Sequence, residues 1–402
     1  MKLDEYLSNL DAETEPMVER IMQWANINTS SFNVPGLERM AAVLTQEFSV
    51  LECEGNAFSL PPIEHVDSMG ISKRIDIGPA LRFWKRPEAP VQVLLVGHMD
   101  TVFELEHPFQ VAIRKDERVL QGPGVTDMKG GICIMLEALK LFEKSPNASQ
   151  LGWEVIINPD EEIGSFGSGP LLEERAKAHH VGLLFEPAMD DQGTLAGDRK
   201  GCGNFVFIVH GRAAHAGRAF DQGRNAIAML AEVITQVDAL NGQRDGVTLN
   251  VGHVQGGGAT NVVPPLAICR LDVRIKQTDD HAWVLDHLNA ITAAANQKKG
   301  FKTELKGSFN RKPKALVGKT KALYDLLAEV GQELGDTISW KPSGGCCDGN
   351  NLSDAGLPNI DTLGVCGGNI HSDEEYLLVD SLVPRAKLTA ALLLRLSEGR
   401  FN

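Results

Sequence analysis

Apolar positions recur with a helical period over residues 12–24 and 36–50, which predicts two amphipathic helices near the N-terminus. The pattern then changes. Three short runs, VQVLLV (91–96), WEVIIN (153–158) and VGLLF (181–185), are apolar at consecutive positions. Such runs predict strands buried on both faces of a covered α/β sheet. Each leads straight into polar chemistry: GHMD after the first, PDEE after the second, EP after the third. Ligands of open α/β sheets gather beyond the carboxyl ends of strands, so these three strands are expected to deliver imidazole and carboxylate groups to one edge. From Asp127 the segment DMKGGICIMLEALKLFEK predicts a helix with Ile132, Met135, Leu136, Leu139 and Phe142 as its buried stripe. The Gly130–Gly131 pair costs about 1 kcal/mol per glycine in a helix, which points to close packing there.

The middle of the chain alternates differently. FVFIVH (205–210) predicts a strand, 225–240 a helix, VTLNVGHV (247–254) and AICRLDVRI (267–275) strands, 281–297 a helix and FKTELK (301–306) a strand. The order βαββαβ is the split, ferredoxin-like arrangement. It predicts a separate domain at 200–310, inserted into a first domain made of 1–199 and 311–402, with further helices at 320–334 and 380–398. There is no internal repeat and no low-complexity segment.

Composition narrows the function classes. With 402 residues the chain exceeds what one hydrophobic core ordinarily serves. A net charge of −14 repels nucleic acid and anionic membranes, so neither is an expected partner. An anionic substrate would then need local positive charge from a metal or an arginine. The opening MKLDEYLSNLDAETEP is acidic and has no secretory apolar stretch. No run approaches the roughly 18 apolar residues of a membrane span. Seven cysteines without CxxC spacing argue against a disulfide framework or a thiolate zinc site, and a reducing cytoplasm is the expected location.

Five segments carry candidate chemistry. In GHMDTV (97–102), His98 is a ligand suited to zinc, and Asp100 two residues on points the same way and can fix its tautomer. For a short HxD pattern alone, an Asp capping a turn beside a buried histidine is the preferred reading. In GPGVTDMKGG (122–131), Asp127 replaces the third glycine of a dinucleotide loop, where a carboxylate would repel pyrophosphate; a helix N-cap is the plain alternative. In NPDEEIGSFGS (158–168), the adjacent Glu161 and Glu162 repel each other unless a cation or proton compensates. One as metal ligand and the other as base explains the pair better than a solvated acidic loop does. Glu186 in FEPA directly follows an apolar strand, an expensive place for an unpaired charge. His371 in GGNIHSDEEY would be unremarkable alone. Together the five offer two histidines and three carboxylates beside the base, enough for two zinc ions sharing one bridging carboxylate.

In order and spacing these motifs resemble the zinc-dependent glutamate carboxypeptidase, acetylornithine deacetylase and aminoacylase superfamily, with the carboxypeptidase G branch nearest. The likeness runs from about residue 90 to the C-terminus. It implies a mixed-sheet α/β/α zinc-hydrolase catalytic domain with an inserted ferredoxin-like dimerisation or lid domain. It implies two zinc ions per subunit, with cobalt or manganese as substitutes. Asp127 would bridge the metals, His98 and Glu186 complete one, and Glu162 and His371 the other. Glu161 would be the general base toward a metal-activated water and Asp100 the orienter of His98. A cis peptide at Asp127–Met128 is also implied. HGRAAHAGRAFDQGRNA (210–226) resembles the family segment whose histidine, here His215, reaches the partner's active site in a homodimer. Asn261 and Arg274 match the contacts to a substrate carboxylate; Arg274 follows Asp272 by two residues, so an ion pair is its plain alternative. Where Cys347 stands the family commonly has Ser or Thr. The Cys346–Cys347 pair lacks a recognisable base for nucleophilic work, and residues 61–92 have no counterpart in the family pattern.

The expected function is hydrolysis of an amide bond in a small carboxylate-bearing substrate, as a carboxypeptidase acting on small peptides. An N-acyl-amino-acid deacylase using the same site is the alternative, since the metal motifs do not say which side of the scissile bond is large. A catalytically inactive dimeric binding protein is the weaker reading, because the candidate base Glu161 and every candidate ligand are present.

Overall fold

The computed structural model describes residues 3–401, so the outermost limits of the expected catalytic domain, 1 and 402, lie outside the described residues. Three buried parallel strands form its centre. Val91–His98 lies between Leu151–Asn158 and Val181–Leu184, with His98 opposite Asn158 and Val96 opposite Leu184. Their carboxyl ends therefore finish side by side. Ala80–Lys85 and then Glu54–Phe58 extend the sheet in antiparallel fashion on one side, and Asn359–Ile360 adds a parallel strand on the other. The result is a mixed six-stranded sheet.

Both faces of that sheet are covered, as the consecutive apolar runs require. Val93, Leu95, Val155 and Ile157 pack under the helices Gly130–Phe142 and Leu382–Ser397. Leu94, Val96, Ile156 and Leu184 face the opposite way and pack with Leu172 of Gly169–Ala176 and Leu352 of Asp348–Asp354. This is an α/β/α sandwich. The two N-terminal helices form as expected, at Thr14–Ala25 and Val34–Phe48.

The helix expected from Asp127 begins later. Residues Val125–Lys129 form an irregular turn in which Asp127 (φ −114°, ψ 91°) and Met128 are not helical, and the regular helix starts at Gly130. Asp127 is thus no helix cap. The glycine pair is explained by contact: a Cβ on Gly131 would lie 2.0 Å from the Phe185 carbonyl oxygen, and one on Gly130 would lie 2.5 Å from that of Val125. The helix rests directly on the strand that precedes Glu186.

Between residues 201 and 311 the βαββαβ order forms a second, fully antiparallel sheet, in the spatial order Thr248–Gly256, Leu266–Ile275, Gly201–His210, Lys302–Arg311. Its helices Ala226–Asp238 and Asp280–Asn296 cover one face over a core of its own, including Phe205, Phe207, Val209, Val233, Val273 and Leu288. The chain enters and leaves this unit through one point, where Arg199 and Lys314 exchange backbone hydrogen bonds of 2.9 and 3.0 Å. The segment without a counterpart in the family pattern also has a place. Ile63–Val66 and Ser72–Ile75 form a hairpin that pairs only with itself among the described residues. It docks on the sheet face opposite the helices: Arg270 Nη2 donates to the Val66 carbonyl at 2.5 Å, Lys306 Nζ to Ser72 Oγ at 2.9 Å, and Gly70 lies against Ile208. No helix among the described residues is long and apolar enough to cross a membrane.

Candidate metal centre and the cavity above it

The strand ends converge on one cluster. His98 closes its strand; Glu161 and Glu162 follow the turn after Asn158; Glu186 follows Leu184 by two residues; Asp127 enters from the irregular turn. All are buried or nearly so. Asp127 holds the centre with its two oxygens turned to different partners. Its Oδ1 lies 3.1 Å from His98 Nε2, which is also 3.8 Å from Glu186 Oε2. Its Oδ2 lies 3.4 Å from His371 Nε2, which is 3.1 Å from Glu162 Oε2. By mutual distance alone, His98 also groups with Glu161 and Glu186, and with Asp127 and Glu162, each set within 4.8 Å. The Nε2 contacts separate the five candidate ligands into two halves that share Asp127.

His371 sits at the rim, half exposed, on a turn in which both it (φ 64°) and Asn369 (φ 52°) are left-handed. A non-glycine residue holds that conformation only where its surroundings fix it, and here it aims the imidazole inward. The Asp127–Met128 peptide is cis.

Supporting contacts fix the cluster. His98 Nδ1 faces two acceptors, the Asp100 carbonyl at 3.0 Å and its carboxylate at 3.3 Å. It must therefore carry the proton, leaving the Nε2 lone pair for a ligand. The same Asp100 carboxylate accepts the backbone N–H groups of Glu161 (3.2 Å) and Glu162 (3.1 Å) and the Ser31 hydroxyl (2.7 Å). One residue thus positions a histidine and both glutamates. Two further residues escaped the sequence reading. Glu375, buried, accepts the backbone N–H groups of Gly124, Thr126 and Asp127 at 2.9–3.0 Å and so pins the turn that carries Asp127. Arg311, the last residue of the second sheet, reaches Glu161 Oε1 at 2.8 Å, and also contacts Ser165 Oγ and Asp348.

The electrostatics are those of a site with too much negative charge for its burial. Desolvation drives Glu161 well above the usual carboxylate range despite Arg311, and raises Glu162 to about 7 with help from Asp127. Glu186 is also raised by burial. Burial alone would lower His98, but Asp100, Asp127 and Glu186 overcome it and hold the imidazole well above its ordinary value. Asp127 and Glu162 lift His371 to about 11. The cluster retains protons where it would otherwise hold uncompensated carboxylates.

A cavity of about 980 Å³ opens over the cluster, lined by Glu161, Glu162 and His371 on one side. Its roof is the face of the second sheet that the helices leave uncovered. Along that sheet alternate residues point outward, and Cys202, Asn204, Arg270, Arg274 and Asn310 face the cavity while Phe205 and Leu271, at its edge, also serve the core beneath. Arg274 is among these cavity residues, and its guanidinium is paired, donating to both Asp272 oxygens at 2.7 and 2.8 Å. His215 and Asn261 do not line this cavity. They are exposed elsewhere on the second unit and close to each other, the Ala216 N–H donating to the Asn261 carbonyl at 2.9 Å. Cys347 is buried and caps the helix Asp348–Asp354, its Sγ accepting from Gly349 N.

Known proteins share sequence and fold with this chain. Carboxypeptidase G2 of Pseudomonas sp. (strain RS-16) is 30% identical over 77% of this chain and 74% of its own length. The chain spans about half the length of the fungal probable carboxypeptidases it also matches, 52% for that of Arthroderma otae. Human carnosine dipeptidase 1 shares the fold at a TM-score of 0.77, with 16% identity and coverage of 99% of this chain and 100% of its own. A Bacillus subtilis protein described as a dinuclear metal-binding peptidase matches at a TM-score of 0.65, with 15% identity over 96% of this chain and 99% of its own. The family described as peptidase family M20/M25/M40 matches residues 94–395, and the chain belongs to that family of metal-dependent hydrolases.

Proposed function

We propose that this protein is a two-metal carboxypeptidase, cleaving the amide bond beside a free carboxylate in a small peptide or acyl amino acid. The observation that carries the reading is Asp127, whose two oxygens face separate His–Glu pairs. The donor set fits two divalent ions: each half offers an imidazole Nε2 and a glutamate around the shared aspartate, with no thiolate. Zinc suits such ligands, and cobalt or manganese accept them as well. His98, Glu186 and Asp127 would hold one ion, and His371, Glu162 and Asp127 the other. Bound there, the ions supply Lewis acidity toward the scissile carbonyl and toward a water nucleophile.

The chain's own groups do the rest. Glu161, tied to Arg311 rather than to a histidine, takes the proton of the attacking water and returns it to the leaving amine. Asp100 keeps His98 in the tautomer that frees Nε2. Arg274, at the roof, exchanges part of its Asp272 pairing for the substrate carboxylate, which its planar fork accepts bidentately. His215 and Asn261, exposed and away from their own cavity, act in a second copy of the chain, His215 donating to the oxyanion that forms on the substrate. We read 200–310 as the dimerisation and lid domain on 1–199 and 311–402. Its own core, single crossing point and unpaired edge strand Thr248–Gly256 support this. The acyl or peptidyl side is assigned to a peptide by likeness to carboxypeptidase G2. We place the protein in the cytoplasm, because all seven cysteines are free thiols. The test is a panel of dipeptides and N-acyl amino acids, each with a free and an amidated C-terminus. Turnover is expected only with the free carboxylate; equal turnover of both forms would overturn the reading.

A further inference from the structure

Two thiols meet at the roof of the cavity. Cys202 is the second residue of the strand Gly201–His210, beside the point where the chain crosses into the second sheet. Cys346 lies in the loop before the helix Asp348–Asp354. Their sulfurs are 2.7 Å apart and both residues line the cavity, Cys346 half-buried and open to small solutes and Cys202 buried beside it. Cys346 Sγ is also 2.9 Å from Arg274 Nη1.

We propose that Cys202 and Cys346 form a thiol-oxidation site, which a hydroperoxide converts to a disulfide and which thereby strengthens the hold of Arg274 on substrate. Cys346 is the attacking sulfur. Contact with Cys202, and then the charges of Arg311 and Arg274, bring its thiol down to about 6 against the pull of burial, whereas Cys202 is pushed far up. A low-pKa, accessible thiolate next to a resolving thiol is the arrangement that oxidises selectively. The Cys346 thiolate attacks one oxygen of hydrogen peroxide; the O–O bond breaks and the other oxygen leaves as hydroxide, giving a sulfenic acid. Cys202 then attacks that sulfur, the S–O bond breaks, and the departing hydroxide takes the Cys202 proton to leave as water. In sum two thiols and one peroxide give one disulfide and two waters, the sulfurs losing two electrons and the peroxide gaining them.

The consequence falls on Arg274. In the reduced protein it sits between the Asp272 carboxylate and the Cys346 thiolate; in the oxidised protein the second anion is gone. This step rests on the reading of Arg274 as the substrate-carboxylate contact. KM for a free-carboxylate dipeptide is then expected to fall about fivefold, the effect of removing one water-screened charge at contact distance, with kcat changed by less than about twofold.

The experiment treats full-length zinc-loaded protein with hydrogen peroxide, alkylates the remaining thiols, and maps peptides without reduction before measuring KM. The expected result is a Cys202–Cys346 peptide pair, a lower KM, and reversal of both by dithiothreitol. Cys202→Ser should give no cross-linked pair on oxidation. Separate alkylation of both cysteines after peroxide would overturn the site, and a cross-link that leaves KM unchanged or raised would overturn its effect. Arg274→Lys in reduced protein tests the underlying reading separately: an unchanged KM there sinks the carboxylate role and with it the predicted effect on KM, while the peptide map still decides the thiol site.

Discussion

Asp127 shows how much one side chain can organise. It faces His98 with one oxygen and His371 with the other, so its removal would dissolve both halves of the centre. Glu161 and Glu162 are neighbours in sequence yet differ in partners: the first meets Arg311 and the second meets His371. Glu161→Gln is expected to retain metal and lose at least about 100-fold in kcat, the usual scale for a missing general base; Glu162→Gln is expected to lose metal. The opposite pattern of metal content would exchange their roles. Protonation gives a second check. His371, held up to about 11, and Glu162, raised to about 7, keep protons that a cation must displace. Zinc affinity should therefore rise with pH through neutrality, with protons released on binding. A titration in weak buffer that shows no proton release would contradict it. These residues were legible because each follows a glycine turn or an apolar strand. Glu375 was not: Asp373, Glu374 and Glu375 look alike in sequence, and only the third turns inward onto three backbone N–H groups. Arg311 was also hidden, since nothing in the pattern of its strand says that its end meets Glu161.

At the scale of elements, the three parallel strands were readable from their unbroken apolar character, and their shared carboxyl edge followed from the α/β class. The helix after Asp127 starts three residues later than its periodicity implies, because the apolar pattern continues through the turn while the helical backbone does not. Gly131 makes this junction testable. Alanine is ordinarily the better helix residue by about 1 kcal/mol, but here its Cβ would meet the Phe185 carbonyl. Gly131→Ala is expected to destabilise the fold by about 1–3 kcal/mol, the scale of overpacking. It should also lower metal content, because the displaced strand end carries Glu186. A variant with unchanged melting temperature and full metal content would show that the contact is not the constraint. The hairpin Ile63–Ile75 has no legible role in the sequence; only its second strand is mostly exposed, and its place is set by docking on a distant sheet.

For the whole molecule, the second sheet gives one face to its helices and the other to the cavity, whose opposite side is lined by Glu161, Glu162 and His371. The βαββαβ order was legible from the alternation of periods, but the position of this face over the site depends on chain reversal that no local pattern encodes. His215 lies outside its own cavity. If it serves a partner's, then His215→Ala and Glu161→Gln, each inactive alone, should recover activity when co-expressed and purified as a heterodimer, since one of its two sites keeps both groups. A heterodimer as inactive as its parents would place His215 outside catalysis between copies. The two-metal reading itself is tested most directly by adding zinc stepwise to chelator-stripped protein and measuring hydrolysis of a free-carboxylate dipeptide. Activity should be absent at the start and level off at two zinc ions per chain; hydrolysis that persists in the metal-free protein would contradict the account.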